Sequence, residues 1–276
     1  MEDLVFLEAK IQELKEYFVR LDGIIIAYSG GVDSSLLAYI AHSALKNNMM
    51  AAIADSPSLS RREFQAALAF ADNHGIPLKT VITDEHKNAQ YQANQGDRCY
   101  FCKKTLFQRL FELRDQLTHS LSENPWSIAY GVNMDDLGDH RPGMIAADEA
   151  NILAPYVELE IDKATIRSIS QHLHLDTADK PAMPCLASRI AYGEEVTPEK
   201  LLQVEQAENI MRDLEFEIFR VRHHGTIARI EVLPADQERL LKSREKINQQ
   251  FRELGFVYIV MDLDGFSSGS LNRLLD

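Results

Sequence analysis

The sequence predicts an α/β fold: a parallel sheet with helices on both faces, followed by a small α+β domain. Three observations carry the prediction. Ile24-Ile25-Ile26-Ala27-Tyr28 is a continuous apolar run, the pattern of a strand covered on both sides. Strand-like and helix-like segments then alternate as far as residue 173, as they do where a parallel sheet is strung together. Past a loop-rich stretch, two short strands meet across the turn His223-His224-Gly225-Thr226.

In chain order, a first helix is expected over residues 2–20, because Leu4, Leu7, Ile11, Leu14 and Phe18 recur at helical spacing until Gly23 ends the pattern. The strand at 24–28 breaks at Ser29-Gly30-Gly31, and 34–46 reads as a helix. Strands follow at 49–54, 78–83 and 126–130, with helices at 61–74, 101–117, 144–150 and 162–173. Pro181, Pro184, Gly193 and Pro198 punctuate residues 179–198, which places the expected domain boundary between 1–180 and 181–276. Beyond it come a helix at 199–214, strands at 217–222 and 227–233, a helix at 236–254 and a strand at 257–262.

Composition narrows the function. With 45% apolar and 26% charged residues, the 276-residue chain is neither disordered nor a fibrous or disulfide scaffold. No apolar run approaches the roughly 18 residues of a membrane span, and Met1-Glu2-Asp3 does not open a secretory signal, so a cytoplasmic protein without a membrane partner is expected. Net charge is 29 − 42 = −13, whereas nucleic-acid partners select basic surfaces, so a polynucleotide substrate is disfavoured. Three cysteines in such a chain do not read as disulfides.

The chemistry concentrates at strand ends, where ligands of parallel sheets bind. Ser29-Gly30-Gly31-Val32-Asp33-Ser34-Ser35 joins a buried strand to a helix. Two glycines admit a ligand close to the backbone, and loop amides, serine hydroxyls and the helix dipole together make an anion cradle suited to pyrophosphate. No Lys follows the glycines, and the spacing is not that of a dinucleotide fingerprint. The string Ser-Gly-Gly-x-Asp-Ser resembles the PP-loop of the ATP pyrophosphatases, an adenine nucleotide α-hydrolase-like fold. That resemblance implies cleavage of ATP between the α and β phosphates, adenylylation of the substrate, and Ser29, Gly30, Gly31, Asp33, Ser34 and Ser35 as nucleotide-binding residues. Two roles suit Asp33, a partner for Mg²⁺ or a helix cap. Asp55 ends the second strand, where the family holds adenosine. Arg61 nearby suits either a phosphate or a solvated helix start.

Gly131-Val132-Asn133-Met134-Asp135-Asp136-Leu137-Gly138-Asp139-His140-Arg141-Pro142-Gly143 follows the strand at 126–130. Its acids suit Mg²⁺ or substrate positioning, with Asp136 and Arg141 the leading candidates, and the bland alternative is solvent-facing charge. This segment, Pro184-Cys185-Leu186-Ala187-Ser188-Arg189, and Val221-Arg222-His223-His224-Gly225 with Ala228-Arg229-Ile230-Glu231-Val232 resemble the LarE family of ATP-dependent sulfur transferases over nearly the whole chain. The resemblance implies a mononucleotide substrate, pyridinium-3,5-biscarboxylic acid mononucleotide, whose carboxylate becomes a thiocarboxylate on the way to a nickel-pincer nucleotide. It also implies a homo-oligomer.

The sulfur source divides that family. In one form a cysteine matching Cys185 gives up its own sulfur. In the other, three cysteines hold a [4Fe-4S] cluster. Here Cys99, Cys102 and Cys185 are the whole cysteine set, and the Cys-x-x-Cys pair at a helix start suits cluster ligation. Zinc, lacking a clear fourth ligand, and a redox dithiol remain alternatives. Ser188 and Arg189 adjoin Cys185 and suit orientation of the activated carboxyl. Arg220 and Arg222 alternate along one strand and share a face, fit for phosphate or carboxylate, or else for cross-strand pairing with Glu231. His223 and His224 read as turn residues. Competing classes are a tRNA thiolation enzyme, disfavoured by the acidic balance, an amidotransferase-linked ligase, which needs none of the cysteines, and a non-enzymatic nucleotide sensor or iron–sulfur carrier.

Overall fold

The computed structural model describes residues 2–121, 124–138 and 142–267. The chain forms two compact units, Met1–Asp84 with Cys99–Met183, and Glu85–Arg98 with Pro184–Asp276. Among the described residues no helix is long and apolar enough to cross a membrane.

The first unit holds α1 (Glu2–Val19), β1 (Ile24–Tyr28), α2 (Val32–Leu45), β2 (Met49–Asp55), α3 (Arg61–Asn73) and β3 (Leu78–Ile82). After the excursion into the second unit, which carries α4 (Ala89–Ala93), come α5 (Arg98–Leu121), β4 (Ser127–Tyr130), α6 (Pro142–Glu149), α7 (Pro155–Glu158) and α8 (Lys163–His172). The strands make one parallel sheet of four, in the order β3-β2-β1-β4, as the alternation of elements predicts.

Every residue of β1 is buried. Its alternate side chains feed two separate cores: Ile24, Ile26 and Tyr28 pack with α1, α2 and α8 on one face, while Ile25 and Ala27 pack with Phe107, Leu110 and Trp126 on the other. That double coverage explains the uninterrupted apolar run, since each side chain fully removed from water contributes about 1.5–3 kcal/mol. The order reverses between β1 and β4, so the loops leaving their carboxyl ends diverge and open the crevice in which such sheets bind ligands.

The second unit adds α9 (Pro198–Asp213), β5 (Phe219–His224), β6 (Ile227–Val232), α10 (Gln237–Lys242), α11 (Arg244–Glu253) and β7 (Tyr258–Met261). The sheet order is β5-β6-β7, with β5 antiparallel and β7 parallel to β6. Its core is Met211, Phe216, Phe219, Val221, Ile230, Phe251 and Phe256 with their neighbours. Two details depart from the sequence expectation. His223 and His224 belong to β5 rather than to the turn, because Gly225 at φ +60° reverses the chain tightly enough for His224 to pair with Ile227. The helix expected at 236–254 is broken into α10 and α11 at Ser243.

This packing makes stability testable at two points. Gly30 sits at φ +72°, and a Cβ there would lie 2.5 Å from the Cβ of Ala67 on α3. Gly30→Ala therefore combines backbone strain with a clash and is expected to cost about 2–4 kcal/mol, read as a lowered thermal midpoint. In the second unit, burial lowers the pKa of His223, aided by Lys200 and opposed by Glu194; burial and Arg229 lower that of His224. The unfolded chain then takes up these protons at a higher pH than the folded one. Stability is complete above the ordinary histidine value of about 6.5 and declines as pH falls through it towards the folded values. Denaturant midpoints measured across that interval are expected to fall with acidification, and His223→Gln should flatten the slope.

Candidate active site

In the first unit the turn after β1 is built around bare backbone. Gly31 caps α2 without a side-chain bond, so Asp33 is not the helix cap. The Ser29 and Ser34 hydroxyls lie 3.0 Å apart, the Ser29 amide donates to Ser34 Oγ (3.1 Å), and Ser34 Oγ donates to the Gly31 carbonyl (3.3 Å). Ser35 is fully buried on α2 and its amide donates to the Gly31 carbonyl. The loop after β4 closes in from the side: a Cβ on Gly131 would meet the Ser34 amide nitrogen at 3.0 Å. This is a cradle that side chains would fill, and its donors suit a pyrophosphate.

Asp33 is the centre of the polar network beside that turn. Its carboxylate accepts from Asn133 Nδ2 (3.1 Å) and from Lys163 Nζ (2.6 and 2.7 Å), and its carbonyl accepts from the Tyr156 hydroxyl (2.9 Å). Lys180 Nζ donates to the Gly30 carbonyl (2.9 Å) and pairs with Glu63 (2.7 Å). Asp136 accepts from the Asn133 amide and Asp135 from the Lys163 amide, so these two acids brace the loop after β4. Asp55 ends β2 and pairs with Arg61 at 2.6 Å, while Arg61 also donates to the Ser56 and Leu59 carbonyls and stacks on Phe64. Arg141 lies outside the described residues.

The second unit presents the other candidates. Cys185 is exposed and leads into the 3₁₀ turn Leu186–Arg189. Its carbonyl accepts from the Ser188 hydroxyl (2.7 Å) and from Arg189 (3.1 Å), which also donates to the Pro184 carbonyl. Arg189 is buried and forks onto Glu208 (2.9 and 3.3 Å). The guanidinium thus locks the backbone that carries the thiol. Arg98 holds the same turn from another segment, donating to the Ala187 carbonyl (2.9 Å) and to Asn94. Asn94, left-handed at φ 51°, donates in turn to the Ala191 and Glu194 carbonyls.

Arg222 donates from Nε and Nη2 to Glu231 (3.1 and 2.8 Å) and from Nη1 to the Ser188 carbonyl (3.0 Å). Arg229 joins the same carboxylate at 3.1 Å. Arg220 stacks on Phe266, and burial, with Arg189 and Arg222 pushing the same way, lowers its pKa to about 10. Several guanidiniums therefore crowd one region around the buried carboxylates of Glu208 and Glu231, a field that favours an anion.

Cys99 is exposed and Cys102 half-buried; both fall near the start of α5, three positions apart and hence on one helix face. They fit two positions of a thiolate-ligated centre. They lie in the first unit and Cys185 in the second. Among the described residues, no group of three or more His, Cys, Asp or Glu is placed to hold a metal ion.

Sequence reasoning misses Lys163, Lys180, Tyr156, Asn94 and Arg98. No local pattern marks them, because each acts on a residue distant along the chain or buried by the fold. Asn133 lies inside the loop motif of residues 131–143, where its spacing is visible but its partner is not.

A parallel sheet with a glycine-rich anion cradle at the β1–α2 turn, beside its switch point, defines a PP-loop nucleotide-binding enzyme. Residues 4–118 match the NAD synthase family. An uncharacterized protein of Synechocystis sp. is 44% identical over 98% of this chain and 99% of its own length. The pyridinium-3,5-bisthiocarboxylic acid mononucleotide synthase of Lactiplantibacillus plantarum is 32% identical over 92% of this chain and 91% of its own. A GMP synthase of Porphyromonas gingivalis is 32% identical over 44% of this chain. The chain belongs to the LarE family of PP-loop enzymes, which are ATP-utilising sulfurtransferases.

The buried Arg189–Glu208 pair yields a prediction. Glu208→Gln leaves a buried guanidinium undercompensated, which is expected to cost about 3–5 kcal/mol in denaturant unfolding. Because Arg189 also ties down the Pro184 and Cys185 carbonyls, alkylation of Cys185 by iodoacetamide should accelerate in the same variant.

Proposed function

We propose that this protein adenylylates a carboxylate of pyridinium-3,5-biscarboxylic acid mononucleotide and exchanges its oxygen for sulfur, releasing AMP and pyrophosphate. The observation that carries the reading is the bare cradle at residues 29–35, joined to the likeness with the bisthiocarboxylic acid mononucleotide synthase of L. plantarum.

A carboxylate resists substitution because its leaving group would be oxide. Its oxygen therefore attacks the α-phosphorus of ATP and pyrophosphate departs. The amides and hydroxyls of residues 29–35 receive the leaving phosphates; Asp33 and Asp136 are the residues that would hold a Mg²⁺ ion, which would supply further charge neutralisation. Asp55 and Arg61 border the adenosine. The acyl adenylate then accepts sulfur at its carbonyl carbon and AMP leaves. Arg220 and Arg222 bind the anionic groups of the mononucleotide, with Glu231 fixing the orientation of Arg222. Ser188 and Arg189 position the Cys185 backbone, which leaves the thiol as the reactive group of that turn.

For the sulfur source, the reading retains Cys99, Cys102 and Cys185 as ligands of a [4Fe-4S] cluster. Three thiolates leave one iron open, and the cluster would supply a replaceable sulfur on it. Support comes from the Cys99–Cys102 pair in one helical turn. Donation by Cys185 itself is the second reading, favoured by its exposure on a turn locked by Arg189.

Pyrophosphate release dependent on the biscarboxylate mononucleotide tests the activity; release unaffected by that acceptor sinks it. Anaerobic iron and sulfide analysis, with protein mass before and after turnover, separates the sulfur sources. The cluster predicts unchanged mass over several turnovers and loss of its absorbance in Cys99→Ala, whereas sacrifice of Cys185 predicts loss of the mass of one H₂S per chain.

A further inference from the structure

Lys163 is the first residue of α8, and its place is fixed at the backbone. Its amide donates to Asp135 Oδ2 at 2.6 Å, and Asp162 caps the helix through the Thr165 amide at 2.8 Å. From that anchor the side chain crosses to Asp33, where Nζ lies 2.7 Å from Oδ1 and 2.6 Å from Oδ2. The ammonium faces both oxygens of the carboxylate, the position a bidentate cation would take. A Mg²⁺ ion bound to the same oxygens would need them at about 2.0–2.1 Å and could not share them with an ammonium. Asn133 holds Oδ1 from another direction, so the carboxylate stays aimed when its cation changes.

We propose that Lys163 is a positioning residue that acts through Asp33: it closes that carboxylate to free divalent cations and yields it only when a nucleotide brings its own metal. The proposal rests on the reading above in which Asp33 helps to hold the Mg²⁺ of Mg·ATP. The polyphosphate provides the reason for exchange. It offers the ammonium a stronger anion, and the flexible four-carbon stem of lysine lets the charge swing to a phosphate while the helix start stays in place. Asp33 then turns from ion pair to metal partner and keeps a cation at its oxygens throughout. The consequence is an ordered site, in which metal without nucleotide does not occupy the cradle.

Mn²⁺ binding to the full-length protein, followed by electron paramagnetic resonance, tests this without turnover. Without nucleotide, Lys163→Met is expected to bind one Mn²⁺ per chain at least roughly tenfold more tightly than wild type, because the apparent affinity scales with the fraction of open sites. Lys163→Arg should restore exclusion, and adding Asp33→Asn to Lys163→Met should abolish the new site. Lys163→Gln serves as the second opened variant if Lys163→Met is insoluble. Equal Mn²⁺ affinity in wild type and the opened variant overturns the proposal. With α,β-methylene-ATP present, Asp33→Asn alone should lose the nucleotide-borne Mn²⁺. If it keeps it, the metal-partner reading of Asp33 falls and the exchange with it; if it loses it while the opened variant gains nothing, only the exchange falls.

Discussion

The first unit depends on one steric constraint, that the backbone after β1 must remain bare. Gly30 passes under Ala67 of α3, and Gly131 leaves the Ser34 amide uncovered from the side of β4. Either methyl group would push the chain out of the geometry in which loop amides and the start of α2 face one point. The anion cradle is therefore a property of three elements packed together, β1, α3 and the loop after β4. Its charge balance is set by the same packing. Asp33 is met by Lys163, and the Gly30 carbonyl is met by Lys180. Cations stand ready at a site that must receive polyphosphate, in a chain of net charge −13.

The second unit solves a different problem, holding an exposed thiol on a short turn. A 3₁₀ turn of four residues has little stability of its own. Its carbonyls are instead gathered by three arginines: Arg189 from within the turn, Arg98 from the segment 85–98, and Arg222 from β5. Two of these guanidiniums are balanced by the buried carboxylates of Glu208 and Glu231. Buried ion pairs add little net stability, since the desolvation of both charges offsets their attraction. Their contribution here is geometric: the Cys185 backbone is fixed while its sulfur stays accessible. Arg220 is half-buried, and desolvation first, then the neighbouring Arg189 and Arg222, lowers its pKa.

Much of the fold is legible in the residues. The strands and most of the helices come from apolar runs and helical spacing, and the cradle from Ser29-Gly30-Gly31 between a buried strand and a helix. The misreadings are local. His223 and His224 look like turn residues because they are polar and directly precede Gly225, yet strand pairing takes them both. Ser243 interrupts a helix whose apolar spacing runs through it. The roles of Arg189 and Arg222 are only half legible. Arg189 beside Cys185 reads as a group that orients the carboxyl, and only its burial against Glu208 shows how far it serves the protein's own structure; for Arg222, pairing with Glu231 is one of the two readings the sequence offers, and the structure makes that pair.

By itself, the sequence determined the α/β class and the glycine-rich turn after β1, because these depend on residue type and on neighbours a few positions away. Tertiary structure alone decided which charges meet: Lys163 with Asp33 across 130 positions, Lys180 with Gly30 across 150, and Arg98 with Ala187 across 89. Periodicity carries no record of such pairs. They exist only when the sheet and its helices bring distant segments within hydrogen-bonding range, where partial burial makes an unpaired polar group costly.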